Sequence, residues 1–461
     1  MAGIGFGIRD LLRRDTFLGF FRAYTYAGVI GSGPWILSFA GILMIHILGR
    51  QLGIPVRLIT QFQTSVTYVI AASLVFSGVL TLSFTRYASD RIYENRPERV
   101  GPAFLGALTL ITAGSFALGL LLSAFAFPGQ SPVYRAFMVM SFVTMNGIWL
   151  SASLLSGLKR YLALVGLFGI GYAVVVVVSL ALRARGLEGL LGGFLLGHFL
   201  MLTGMLRLIL GAFPAATSAG ASVRFDFLDR RHLYLSLTFA ALAYNLGIWA
   251  DKAYFWYAPH LGQPVIGMLR SSLIYDIPIF LSYVATLPGM AVFLVRMETD
   301  FAEKHKDYYG AIHGGATLGQ IAGAKDEMVD TIRQGLLEIA KIQGLGVLFA
   351  MIWGPAMLRW LGISQLYQHL LYIDVVAAGL QVVFLGLCNV LFYLDKRRAV
   401  LGLSLLLLAS NLLFTMASVS LGAEFYGYGF AAALLVAVLS GLWTLDRNLH
   451  DLEFRTFMRQ P

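Results

Sequence analysis

The sequence has 461 residues, of which 58% are hydrophobic and only 13% are charged. Soluble globular chains carry about 25% charged residues, so this composition excludes a water-facing protein of this size. The formal net charge of +10 does not indicate nucleic-acid binding, because the arginines and lysines stand between apolar runs, where basic residues set membrane topology. The chain is therefore predicted to lie mostly in a membrane.

The first segment, residues 1–22, is predicted to be a short amphipathic helix at the cytoplasmic surface of the membrane. Arg9, Arg13 and Arg14 are interspersed with leucines and phenylalanines, a pattern typical of interfacial helices. The segment lacks the apolar core and the small-residue cleavage site of a signal peptide.

Twelve apolar runs follow, and each is long enough to cross a bilayer. About 20 apolar residues in a helix span the roughly 30 Å of hydrocarbon. The runs cover residues 23–49, 58–85, 100–127, 136–158, 161–182, 187–206, 233–257, 271–295, 342–358, 370–394, 399–422 and 425–445. This pattern predicts an all-α integral membrane protein with about twelve transmembrane helices.

The basic residues between these runs predict the orientation of the chain. If the N-terminus is cytoplasmic and the spans alternate, most of the 34 lysines and arginines fall on the cytoplasmic side, as the positive-inside rule requires. An odd number of spans before any basic loop would scramble this bias. We therefore expect cytoplasmic N- and C-termini in a multi-pass protein of the bacterial inner membrane.

The spans divide into two equal sets at residues 212–231, an Ala-, Gly-, Ser- and Pro-rich stretch predicted to be a cytoplasmic linker. Residues 23–211 then form an N-terminal six-helix bundle and residues 232–445 a C-terminal one, followed by a cytoplasmic tail over 446–461. Two such bundles around a central cavity are a common transporter design. The longest polar segment is a predicted cytoplasmic loop over 297–341, interpreted either as a docking surface or as a solvated connection of two surface helices.

The sequence contains no recognisable catalytic chemistry. Neither a P-loop motif for ATP nor an H-E-x-x-H pair for zinc occurs, and no polar loop is large enough for a glycosyltransferase active site. The single cysteine, Cys388, lies in an apolar run and excludes an internal disulfide framework. We therefore predict a protein that is not an enzyme and that has no cofactor and no bound metal ion.

Four ionisable residues inside the spans of the C-terminal half are candidates for a cavity or for ion coupling. They are Asp251, Lys252, Asp276 and Asp374. A charge in hydrocarbon costs about 2.5 kcal/mol or more on insertion scales, so such residues usually face water or a partner. The alternative interpretation places all four at the periplasmic water boundary, where a charge costs little.

The first span contains a predicted helix break. Its residues Gly31, Ser32, Gly33, Pro34 and Trp35 combine a proline, which removes a backbone donor, with glycines that permit close helix contact. Broken helices often line transport cavities. Ordinary kinks are also common in membrane helices, and both interpretations stay open.

Sequence motifs near the N-terminus resemble a known transporter family. Residues 3–6 (GIGF), 11–15 (LLRRD) and 26–35 (YAGVIGSGPW) are similar to the start of PelG proteins, the inner-membrane transporters of the Pel exopolysaccharide system. The length and the twelve-span layout resemble that family over the whole chain. PelG proteins in turn resemble the polysaccharide-flippase branch of the multidrug/oligosaccharidyl-lipid/polysaccharide exporter (MOP) superfamily.

The resemblance implies a function and a set of partners. The function is export of a polymer rich in N-acetylgalactosamine, from a cytosolic glycosyltransferase to the periplasm, for the biofilm matrix. The partners are the glycosyltransferase PelF and the membrane proteins PelD and PelE, of which PelD is a cyclic-di-GMP sensor. The family has no catalytic motif, so the resemblance assigns no site residues beyond the segment 31–35.

Two kinds of alternative fit the same sequence. Within transport, the chain would be a flippase for a lipid-linked oligosaccharide or a drug/cation antiporter of the same fold. In a different class, it would be a membrane scaffold that transports nothing and anchors a cytosolic synthase through residues 297–341. A scaffold would tolerate substitutions of the four ionisable residues and would fail when that segment is cut.

Overall fold

The structure, a computed structural model, describes residues 17–213, 223–229 and 233–458, which are almost entirely helical. Most of the predicted amphipathic segment 1–22, residues 214–222 and 230–231 of the predicted linker, and residues 459–461 of the predicted tail lie outside the described residues. The helices are α1 (Phe17–Gln51), α2 (Val56–Tyr93), α3 (Val100–Ala126), α4 (Pro132–Gly157), α5 (Tyr161–Ala181), α6 (Gly186–Ala212), α7 (Leu235–Tyr257), α8 (Leu273–Ser282), α9 (Leu287–Val295), α10 (Ala302–His313), α11 (Leu318–Trp360), α12 (Gln368–Tyr393), α13 (Arg397–Leu421), α14 (Tyr428–His450) and α15 (Leu452–Met458). Two short antiparallel strands, β1 (Gln263–Ile266) and β2 (Leu269–Ser271), lie between α7 and α8.

In the described part of the chain, eleven helical segments are long and apolar enough to cross a membrane. The prediction of an all-α membrane protein is therefore confirmed. The remaining predicted span, the seventh in chain order, is α7, whose 23 residues are long enough but whose polar residues Asn245, Asp251 and Lys252 lower its hydropathy. Each of the twelve predicted runs corresponds to a helical segment, and the side of the membrane on which the termini lie stays a prediction.

Contacts divide the chain into two compact units. The first comprises Met1–Ser32, Ala250–Tyr254 and Leu273–Pro461, and the second comprises Gly33–Trp249 and Phe255–Ser272. The second unit contains a continuous hydrophobic core with several fully buried phenylalanines. The predicted division of the spans into two six-helix bundles stays a prediction.

Within the second unit, α6 packs on α5 through a stripe of glycines. Gly189, Gly193 and Gly197 follow one another at intervals of four residues. A Cβ atom on Gly193 would lie 2.3 Å from the backbone nitrogen of Ser179, and one on Gly197 would lie 2.4 Å from Val175 Cγ2. This spacing of small residues lets two helix backbones approach closely, which is how membrane helices gain packing energy.

The segment 297–341, predicted to be a loop, is helical over most of its length. A π-helix over Arg296–Phe301 leads into α10, and a short turn leads into α11. α11 has 43 residues, or about 64 Å at 1.5 Å per residue, which is roughly twice the hydrocarbon thickness. The polar N-terminal half of α11 is amphipathic. Its apolar stripe buries Ile321, Met328, Ile332 and Ile339.

The segment 31–35, predicted to break the first span, lies inside the unbroken helix α1. Proline is tolerated in membrane helices where nearby hydroxyls and local adjustments satisfy the backbone, and the Ser38 hydroxyl donates to the Pro34 carbonyl at 2.7 Å. Gly31 and Gly33 allow neighbouring helices to pack closely and do not interrupt α1. Within the second unit, a Cβ atom on Gly33 would lie only 3.0 Å from Val165 Cγ2.

A helix break does occur in the eighth predicted span, residues 271–295, which the structure divides into α8 and α9. Between α8 and α9 a 3-10 turn covers Tyr283–Thr286. The buried Gln343 side chain of α11 donates from Nε2 to the Ala285 carbonyl at 2.8 Å, and its Oε1 accepts from the Gly289 N–H at 3.1 Å. These two backbone groups are four residues apart and would bond to each other in a regular α-helix. An inserted side chain is a recognised cause of a helix break.

We expect Gln343→Leu to lower the midpoint temperature of thermal unfolding of the detergent-solubilised protein. Leucine removes both hydrogen bonds and leaves two buried backbone groups to find other partners, and an unpaired group costs about 1–3 kcal/mol. The matched control is Gln334→Leu, an exposed glutamine on the same helix, with an expected change within about 0.5 kcal/mol. Equal midpoints for the two variants would contradict the bridging role of Gln343.

Candidate functional site

A group of charged side chains, which we call the buried charge cluster, lies within the spans of the first unit. Its centre is on α7, where Asp251 and Lys252 are 0% and 2% exposed. The Lys252 ammonium donates to the Asp251 carboxylate, with Nζ 3.0 Å from Oδ2 and 3.3 Å from Oδ1. Adjacent residues on a helix do not face each other, so this contact depends on the length of the lysine side chain.

Two other helices supply further donors to Asp251. The Tyr275 hydroxyl of α8 donates to Oδ2 at 2.6 Å, and the Asn411 amide of α13 donates to Oδ1 at 3.1 Å. The Thr415 hydroxyl, one turn along α13, donates to the side-chain oxygen Oδ1 of Asn411 at 3.0 Å and so fixes the orientation of the amide. An ionised carboxylate accepts about four hydrogen bonds. The protein therefore saturates Asp251 with donors.

Aromatic rings cover the Lys252 ammonium. Its Nζ lies 4.6 Å from the ring centroid of Phe430 on α14 and 5.7 Å from that of Tyr283. A cation within about 6 Å of an aromatic face is attracted by the quadrupole of the ring. Tyr283 belongs to the 3-10 turn after α8, so the helix break contributes one of the two rings.

Asp374 on α12 is the second carboxylate of the cluster. It is 0% exposed, and among the described residues neither of its carboxylate oxygens has a hydrogen-bond donor. It interacts electrostatically with Lys252 and Asp251. Gly427, at φ +85° just before α14, lies beside it, and a Cβ atom there would be 3.1 Å from Asp374 Oδ1. The cluster thus combines one cation with two carboxylates.

The structure brings three of the four predicted ionisable residues together. Asp251, Lys252 and Asp374 share the cluster, and all three are buried. Asp276 is half-buried and is not among the residues that bond to Asp251. The role of these residues in transport stays a prediction.

Four partners of the cluster were not predicted. An amide in the apolar run of α13 was a detectable signal for Asn411, because polar side chains inside membrane spans are rare and usually bonded. Tyr275, Tyr283 and Phe430 carry no such signal, because aromatic residues occur in every predicted span of this chain.

The second unit also buries a histidine, and both of its ring nitrogens have local partners. His198 is 1% exposed, with Nδ1 2.8 Å from the Phe194 carbonyl and Nε2 3.2 Å from the Tyr172 hydroxyl. Such pairing is typical of a structural histidine. Among the described residues, no group of three or more His, Cys, Asp or Glu side chains is arranged to hold a metal ion.

The fold matches that of solved membrane transporters. An outward-facing multidrug resistance MATE family transporter of the MOP superfamily is similar with a TM-score of 0.59 and 12% identity, over 93% of this chain and 94% of that one. A point mutant of the Vibrio cholerae MATE transporter VcmN gives a TM-score of 0.57 and 14% identity over 97% of both chains. A MOP superfamily transporter from Pyrococcus furiosus gives 0.58 and 13% over 93% and 96%. The chain therefore has the fold of a MOP superfamily transporter.

The sequence identifies the family within that fold. The family model PelG, described as "Putative exopolysaccharide Exporter (EPS-E)", matches residues 1–457. Among curated protein sequences, none matches this chain significantly. The chain belongs to the PelG family: it is a multi-pass membrane transporter of exopolysaccharide and not an enzyme.

We expect Tyr275→Phe to destabilise the folded protein, because it removes the hydroxyl that donates to the buried Asp251 carboxylate. Hydrogen bonds to charged groups contribute about 1.5–3 kcal/mol, so the midpoint of thermal unfolding in detergent should fall. The control is Tyr93→Phe, at a tyrosine that is 83% exposed. A midpoint for Tyr275→Phe equal to that of the control would contradict the assigned bond.

Proposed function

We propose that this protein exports the Pel exopolysaccharide, a polymer rich in N-acetylgalactosamine. The polymer passes from the cytosolic glycosyltransferase to the periplasm and becomes part of the biofilm matrix. The proposal is carried by the match to the exopolysaccharide exporter family over residues 1–457. The transporter fold supports movement of a substrate rather than its synthesis.

The buried charge cluster is the proposed coupling element of this exporter. Ionisable residues inside membrane spans mark ion or substrate pathways, because their burial is costly. Asp251 already accepts hydrogen bonds from Lys252, Tyr275 and Asn411. Asp374, in contrast, lacks a hydrogen-bond donor among the described residues. Asp374 is therefore the carboxylate that we assign to a coupling proton. A proton there leaves the cluster with one cation and one anion, which is electrically neutral.

Polymerisation in the cytosol is the alternative driving force. A growing chain that is pushed through the protein needs no titrating group in the spans. Under that mechanism, neutral substitutions in the cluster would affect folding alone, and any loss of export would follow the loss of protein from the membrane.

We expect Asp374→Asn and Asp251→Asn each to lower polymer secretion by about tenfold, which corresponds to about 1.4 kcal/mol in a rate-limiting barrier. The measurement is secreted polymer per unit of tagged protein in the membrane, in cells that lack the chromosomal copy. Asp276→Asn is the matched control, because it makes the same chemical change outside the cluster, and it should export normally. Normal secretion by Asp374→Asn would remove the coupling role.

The same variants discriminate a scaffold from a transporter. A scaffold that only anchors a synthase would tolerate all three substitutions and would lose function when the helical pair of α10 and α11 is shortened. A flippase for a lipid-linked oligosaccharide would instead need a lipid carrier in reconstituted vesicles. A drug/cation antiporter would move organic cations in vesicles that contain no polymer.

PelF, PelD and PelE are the partners that we propose for this exporter. Residues 297–341 offer a docking surface, since α10 and the polar half of α11 form a helical pair braced by ion pairs. Lys304 Nζ lies 2.6 Å from Glu327 Oε2, and Lys325 Nζ lies 3.1 Å from Glu453 Oε1 on α15. A preorganised helical surface binds with a smaller entropic cost than a flexible loop.

We expect both termini to lie on the cytoplasmic face of the inner membrane, as the distribution of basic residues requires. In a Cys388→Ala background, Ala2→Cys and Gln460→Cys should react with a membrane-impermeant maleimide in inside-out vesicles and stay unlabelled in intact spheroplasts. A cysteine placed in the predicted periplasmic turn, Gly129→Cys, gives the opposite control. Labelling of the two termini from different faces would overturn the twelve-span topology.

A further inference from the structure

The Lys252 ammonium fills a cage that has the chemistry of an organic-cation site. Its walls are the Asp251 carboxylate, 3.0 Å from Nζ, and the faces of Phe430 and Tyr283. The buried carboxyl group of Asp374 interacts electrostatically with the same ammonium. Carboxylates and aromatic faces around a positive charge are how proteins recognise ammonium ligands. In this chain the cation is covalently attached to the helix that carries the carboxylate.

The same cage is poorly suited to a hard metal ion. Such ions take six or more oxygen ligands at short distance, whereas Phe430 supplies only ring carbons and the Tyr283 hydroxyl is already hydrogen-bonded to Lys252. Both oxygens of Asp251 already accept hydrogen bonds from Tyr275 and Asn411 as well as from Lys252. A metal ion would have to displace these donors before it could bind the carboxylate.

We propose that Lys252 is a built-in cation, which occupies this site permanently and excludes alkali-metal ions from it. The cluster then keeps its internal charge pairing without a soluble metal ion, and Na⁺ or K⁺ is not a coupling ion at this site. The inference concerns the site itself, and it does not depend on which substrate the protein transports.

Lys252→Ala tests the proposal because it empties the cage and leaves its walls in place. We expect the purified full-length variant to unfold at a midpoint about 5 °C or more below the wild type, since a buried carboxylate has lost its counter-charge. n-Butylammonium chloride should raise that midpoint with the logarithm of its concentration, as a ligand of the folded state does. The fluorescence of the seven tryptophans reports the transition in detergent.

Two matched variants separate refilling of the cage from a general salt effect. Lys252→Met fills a similar volume without a charge, so butylammonium should not stabilise it. Lys306→Ala removes an exposed lysine and should keep the wild-type midpoint and the wild-type response to salt. For the wild type, sodium, potassium and choline chloride at equal ionic strength should give equal midpoints.

Two results would overturn the proposal. One is a wild-type midpoint that rises in sodium or potassium relative to choline, because an external ion then enters the site beside Lys252. The other is a folded Lys252→Ala variant that does not respond to butylammonium.

If Lys252→Ala yields no folded protein, the double variant Asp251→Asn/Lys252→Met replaces it. The double variant lacks both charges, so its unfolding midpoint should lie above that of the single variant Lys252→Met. Equal midpoints would contradict the pairing of Asp251 with Lys252. Secretion is not measured, so failure here leaves the export proposal standing.

Discussion

Hydrocarbon offers no hydrogen-bond partners, so every backbone polar group inside the spans must be satisfied within the protein, and a side-chain polar group without a partner is costly there. This constraint makes the backbone helical throughout the spans. Among the described residues, it also governs two places where the helical pattern or the apolar composition is broken. At the turn between α8 and α9, Gln343 bonds both Ala285 and Gly289. In the buried charge cluster, three side chains from three helices converge on Asp251.

Span length and apolar composition predicted the twelve helical segments because bilayer thickness fixes how many apolar residues a helix needs. The same logic exposed Asp251, Lys252 and Asp374, since a charge in an apolar run is visible in the sequence. The contacts of Asp251 with other helices were not predictable, because Tyr275 lies 24 positions and Asn411 160 positions away in the sequence. The helix break was also misplaced: its cause, Gln343, lies 58 residues from Ala285, whereas Pro34 is accommodated locally.

The solved transporters share this fold at only 12–14% sequence identity. Apolar spans of fixed length, with small residues where helices touch, are enough to specify such an architecture, and many sequences satisfy that requirement. Substrate choice is a property of particular side chains and does not follow from the fold. The assignment to exopolysaccharide transport therefore depends on the family match, and the proposed mechanism depends on the cluster.

Stability alone does not account for that cluster. Replacement of a buried ion pair by well-packed apolar residues is often neutral or stabilising, because desolvation of two charges offsets their attraction. In hydrocarbon the cost of each charge is larger still, and most predicted spans of this chain contain no Asp, Glu, Lys or Arg. Asp374 is the most costly member of the cluster, since it is fully buried and lacks a hydrogen-bond donor among the described residues. An apolar residue there would remove an uncompensated carboxylate from the membrane interior. The proposed change of charge during transport, in which this carboxylate gains or loses its proton, accounts for its presence beside a cation that is already paired with Asp251.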